Sequence, residues 1–124
     1  MSCQPTGDES LAHEALWIRC IYRGAREYLR SYGMLSCNRL LAGVLSSVME
    51  DKRTREACLR DPNSAEAALV WQTLQLSGNE LPVSLIARDY ELRPRQLKWM
   101  KRRISEVLHA HLRRESAQRE KKHV

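Results

Sequence analysis

The chain has no Gly-rich phosphate loop, no HExxH and no pair of carboxylates on an apolar background. Nucleophile, general base and oxyanion donors are the parts an enzyme must assemble. Their absence argues against an enzyme, a small-molecule substrate or a cofactor. Cys3, Cys20, Cys37 and Cys58 form no C-x-x-C pair, and no His-x-x-x-His follows them. His109 and His111 stand two apart, which on a helix sends them to different faces. No metal site is therefore expected, and Cys20 and Cys37, in apolar segments, are expected to be core thiols.

Residues 1–9 are polar and acidic, unlike a signal peptide, and no apolar run approaches membrane-spanning length. The expectation is a reduced, cytoplasmic protein with no membrane partner. Strand-period alternation and internal repeats are also missing. What remains is helical periodicity, so the expected class is all-α: one small multi-helix domain over 1–124, ending in a helix-turn-helix with a long basic C-terminal helix.

A net charge of +6 over 124 residues is unevenly placed. From Arg93 to the end, eleven basic residues face only Glu106, Glu115 and Glu120, a net of +8 that leaves −2 for the rest. One end thus suits a polyanion and the other something else.

In chain order, Asp8 is an expected N-cap for a helix over 9–31 that Gly33 helps to end. Leu11, Ala15, Ile18, Tyr22, Ala25 and Leu29 form its packing stripe, Trp17 flanks it, and Arg19, Arg23, Arg26 and Arg30 make a basic row. That row reads first as a solvated face. Ser36 is the expected cap of a second helix over 37–51, buried through Leu40, Leu41, Val44, Leu45 and Val48. Gly43, unfavourable inside a helix, is expected to mark a close crossing. A short helical piece over 54–59 follows. Asp61-Pro62 opens a helix to Leu76 with Ala65, Ala68, Trp71, Leu74 and Leu76 as its apolar content, and Ser77-Gly78-Asn79 stops it. Together 9–76 form a helical core and partner-binding part, and 113–124 should fray into a basic tail.

Between them, 81–112 reads LPVSLIARDYELRPRQLKWMKRRISEVLHAHL. A short segment to Asp89, the connection Tyr90-Glu91-Leu92 and a long basic helix opened by Arg93-Pro94 have the layout of a helix-turn-helix. With Ala87 at the close-contact position, Ile86, Tyr90, Leu92, Leu97 and Met100 fall on slots that must be buried. The turn position that needs φ > 0, usually Gly, is Glu91. Beyond Pro94, the stripe Leu97, Met100, Ile104, Val107, Leu108 and Leu112 faces the core. Arg95, Gln96, Lys98, Trp99, Lys101 and Arg102 lie opposite. Arg and Lys read guanine and Gln reads adenine in the major groove, while Arg93, a poor N-cap, either reaches a phosphate or is simply a solvated turn residue.

This stretch, following a helix of the 65–76 kind, resembles the small phage-encoded late-gene regulators, nearest to the Q-type transcription antiterminators. Their C-terminal helix-turn-helix is similar to region 4 of bacterial sigma factors. The resemblance covers 65–112 as a pattern. It implies a protein that binds double-stranded DNA near a late promoter, engages host RNA polymerase and carries it through terminators. On that likeness Arg93, Arg95, Gln96, Lys98, Trp99, Lys101 and Arg102 contact DNA and the N-terminal helices contact polymerase. The cysteine spacing places the chain with the zinc-free members. Two rivals remain: a sigma-like activator or repressor acting only at a promoter, and an interaction module whose basic helix binds an acidic protein.

Overall fold

The structure, a computed structural model, describes the backbone of residues 7–122 and the side chains of 12–34 and 36–119. Among the described residues there are six helices and no strand: α1 (Gly7–Ser31), α2 (Asn38–Glu50), α3 (Lys52–Arg60), α4 (Pro62–Leu76), α5 (Val83–Asp89) and α6 (Pro94–Lys122). A 3-10 turn, Leu35–Cys37, precedes α2. The all-α expectation holds.

α4 is the axis of the molecule, and every other helix packs on it. Its buried residues run round most of its circumference, as suits a surrounded helix. Ser64, Ala65, Ala67, Ala68, Leu69, Val70, Gln72, Thr73 and Leu74 are buried. Trp71 is half-buried, and Leu76, expected to be packed, is exposed where the helix leaves the core. Both ends follow their local chemistry. The Asp61 carboxylate accepts the Ser64 N–H at 3.3 Å and the Ser64 hydroxyl at 2.6 Å, and Pro62 fills the first turn. At the other end Gly78 takes φ 79°. There the Gly78 and Asn79 N–H groups close on the Gln75 and Leu74 carbonyls, a Schellman arrangement.

Helix α1 already includes Asp8, so that residue lies in the first turn and does not precede it. Leu11 falls outside the described side chains. Ala15 is exposed, while Ile21, which the expected stripe omitted, is buried with Ala25 and Leu29. The stripe is rotated because Ile21 and Ala25, one turn apart, already face α4, whereas the first turns of α1 run past the core. Ser36 does not cap α2. Cys37 holds that position without a side-chain bond, since the 3-10 turn carries the chain into the helix. Of its expected buried set, Leu41, Val44, Leu45 and Val48 are buried and Leu40 is half-buried.

Gly43 lies in open space. The close approach is at Gly24 instead, where a Cβ would overlap the Glu66 carboxylate of α4. Cys20 is exposed, and the buried thiols are Cys37 and Cys58; Cys3 lies outside the described residues. Burial pushes the Cys58 thiol up to about 11. Thr54 is buried and bonded to Asp51, which caps α3 through the Thr54 N–H at 3.0 Å. The segment from Arg113 does not fray: α6 continues to Lys122, with its side chains exposed as far as 119. Arg, Glu, Ala, Gln and Lys all favour helix, and no Pro or Gly interrupts them. Among the described residues no helix is long and apolar enough to cross a membrane.

Candidate nucleic-acid interface

The turn between α5 and α6 decides where the basic face points. Glu91 has φ 53°, the one non-glycine residue with positive φ among those described. Its N–H bonds the Arg88 carbonyl at 3.1 Å, and the Leu92 N–H bonds the Ala87 carbonyl at 2.8 Å. This is the Schellman closure that Gly78 makes after α4, here on a residue with a side chain. The left-handed slot therefore exists, and the chain accepts a strained residue there. Leu92, half-buried, follows as the turn's apolar contact.

Four of the five predicted core slots are buried, and the fifth, Leu92, is half-buried. Ile86, Ala87, Tyr90, Leu97 and Met100 are buried, and so are Ile104 and Leu108 further along α6. Val107 is half-buried, and Leu112, placed in the stripe by its spacing, is 49% exposed. By that point α6 has passed the end of α4, so the stripe has nothing left to cover.

The N-terminal end of α4 fixes the unit. Asn63 donates its side-chain N–H to the Tyr90 carbonyl at 2.7 Å, satisfying the C-terminus of α5. Gln96 donates to Asp61 at 2.7 Å, tying the first turn of α6 to the cap of α4. Although burial opposes it, hydrogen bonds from Ser64 and Gln96 hold the Asp61 carboxyl below its ordinary range. From the other side, Tyr28 of α1 and Tyr32 in the turn after it both donate to one Asp89 oxygen, at 2.8 and 2.7 Å. Those two bonds, Tyr32 first, hold the Asp89 carboxyl down. The Tyr28 ring also lies 5.0 Å from the Tyr90 ring. The Tyr90 phenol is held well above its usual range, by burial first and then by the nearby Glu66 carboxyl, although its hydroxyl has no hydrogen bond of standard geometry. Sequence reading missed this clamp, because its partners lie about sixty positions apart and no local pattern links them.

The seven candidate contacts do not share one face. Arg95, Lys98, Trp99 and Arg102 come together around a shallow hollow on the outward side of α6. The three cations are exposed and Trp99 is 53% exposed. Arg93 is exposed at the helix start, where its carbonyl accepts the Leu97 N–H at 3.2 Å. Gln96 and Lys101 lie on the flanks and are engaged by α4. The Lys101 ammonium bonds Gln75 and sits 4.9 Å from the Trp71 ring centroid, and burial lowers its pKa. Ser105 likewise bonds Gln72. Arg103, not among the candidates, places its guanidinium 5.2 Å from the Trp99 ring centroid. Its spacing of four from Trp99 was the available signal.

The open face is thus narrower than the sequence suggested. It presents three guanidinium or ammonium groups and an indole on a helix seated by a helix-turn-helix core. Such a surface can hold phosphates and touch base edges. No group of three or more His, Cys, Asp or Glu side chains able to hold a metal occurs among the described residues. No protein family, curated protein or solved structure matches this chain.

Proposed function

We propose that this chain is a DNA-binding transcription regulator that seats the first half of α6 in the major groove. Within that class the reading is a phage-type late-gene antiterminator: it binds DNA near a promoter, loads onto RNA polymerase and lets it pass terminators. The observation that carries DNA binding is the pairing of a left-handed turn at Glu91 with the outward cluster Arg95, Lys98, Trp99 and Arg102. The turn sets the helix crossing, and the cluster lies in the first turns of the second helix, where such units reach bases. Lys98 and Arg102 serve phosphates, and Arg95 a base edge. The polymerase contact falls to the N-terminal helices, and exposed Leu16 and Trp17 on α1 suit a protein partner.

Binding to duplex DNA across a salt series tests the first part, since displaced counterions make affinity fall steeply with salt. Arg95→Ala should cost roughly 1–3 kcal/mol and relax sequence preference. Purified transcription through a terminator tests the second part. Binding without read-through would favour a regulator confined to the promoter. Salt-insensitive binding, or none, would favour an acidic protein partner for α6.

A further inference from the structure

The three tryptophans sit in different surroundings. Trp71 is half-buried under Lys101. Trp17 is 51% exposed beside Cys20, Ile21, Pro62, Asn63 and Glu66, an apolar and acidic setting. Trp99 shares its hollow only with Arg95, Lys98 and Arg102, and none of these three forms an ion pair among the described residues. We propose that Trp99 is a stacking platform for an unpaired base, so that this face takes DNA at a point where the duplex gives way to single strand. The inference rests on the reading that the α6 face holds DNA.

In a paired duplex the flat faces of the bases are covered by their neighbours. The major groove offers an indole little beyond thymine methyl groups, because the rest of each base edge is polar. An unpaired base exposes its π-face, and every base has one. The three cations around the ring are placed to hold the phosphates on either side of that base. Arg103 lies over the indole, helping to fix its orientation through a cation–π contact. An aromatic ring set among cations with no carboxylate is the pairing that single-strand binders use. The same ring in the setting of Trp17 would lack the cations.

The test uses the full chain, a fully paired duplex and the same duplex with a short unpaired bubble. Binding is followed by anisotropy of labelled DNA and by tryptophan fluorescence. The wild type should prefer the bubble by about tenfold, and Trp99→Ala should lose at least about fivefold more affinity on the bubble than on the duplex. Trp99→Phe should recover part of the preference. The bubble should quench tryptophan emission in the wild type and not in Trp99→Phe. Thermal melting checks that the variants are folded, which the exposure of Trp99 favours. Equal losses on the two DNAs, or equal quenching in wild type and Trp99→Phe, would overturn the proposal. Steeply salt-dependent duplex binding with no bubble preference would remove the stacking platform and leave the DNA reading standing. Binding to neither DNA would remove both.

Discussion

Helices α1 and α6 each turn a row of cations to solvent, and the rows are built differently. On α1, Arg19, Arg23, Arg26 and Arg30 are all exposed, with exposed Glu27 lying 4.0 Å from Arg30 and half-buried Tyr22 among them. On α6, Arg95, Lys98 and Arg102 converge on an exposed indole in a hollow that no carboxylate lines, and none of the three forms an ion pair among the described residues. The α6 row is also held from below by the α4 cap and the Glu91 turn, whereas the α1 row is a regular helix surface. Counting charges would rank the α1 row first. What separates the two is what lies between the cations and how rigidly their helix is aimed.

The comparison breaks most completely if α6 loses its seat. Met100 is 1% exposed in the core that joins α6 to α4 and α5. Met100→Asp should destabilise by roughly 3 kcal/mol or more, since it buries an unpaired carboxylate. Arg26→Asp on the open face of α1 should stay within about 0.5 kcal/mol. Urea denaturation reads both, and similar effects would mean that α6 is not seated as described.

A smaller effect should come from Asp61, which caps α4 and also receives Gln96. Asp61→Ala should cost about 1–2 kcal/mol, of which Gln96→Ala should reproduce only a part. The same denaturation curves separate the two roles. At the turn the sign reverses. Glu91→Gly should stabilise by about 1 kcal/mol, because glycine takes the left-handed conformation without Cβ strain. A loss of stability there would show that the Glu91 side chain contributes more than its backbone costs.

The smallest effect is on the acid side. The carboxyls of Asp51, Asp61 and Asp89 are all held below their ordinary values, Asp51 chiefly by the Thr54 hydroxyl. A depressed acid stabilises the fold above its unfolded pKa and loses that contribution as pH falls through the folded one. Melting temperature should therefore fall below about pH 4, the ordinary carboxylate range. Glu66 acts against this, because burial raises its pKa and its protonation relieves the fold. Glu66→Gln should therefore make the acid-side fall begin at higher pH.

How much of this was legible in the sequence depended on range. Asp61-Pro62 and Ser77-Gly78-Asn79 marked both ends of α4, because caps are local chemistry. The buried slots of α5 and α6 followed from spacing, and the φ > 0 position followed from the turn type even with Glu in it. Leu76, Leu112 and Ala15 were misplaced, because periodicity says which way a residue faces and not whether anything lies there. Gly43 was read in place of Gly24, since a glycine's neighbour is invisible until helices are docked. The same limit applies to the site. Gln96 and Lys101 have the right residue types on the right helix, but their partners are Asp61, the cap of α4, and Gln75 on α4 itself.

On the proposed function the open side of α6, and not the arginine row of α1, carries the polyanion contact. The most direct measurement compares two double variants on one duplex across a salt series: Lys98→Ala with Arg102→Ala, and Arg23→Ala with Arg26→Ala. Each pair removes two charges. The α6 pair should flatten the log–log salt slope by about two and weaken binding at every salt tested, while the α1 pair should shift the slope by less than about half a unit. Equal changes for the two pairs, or a larger change for the α1 pair, would contradict the account.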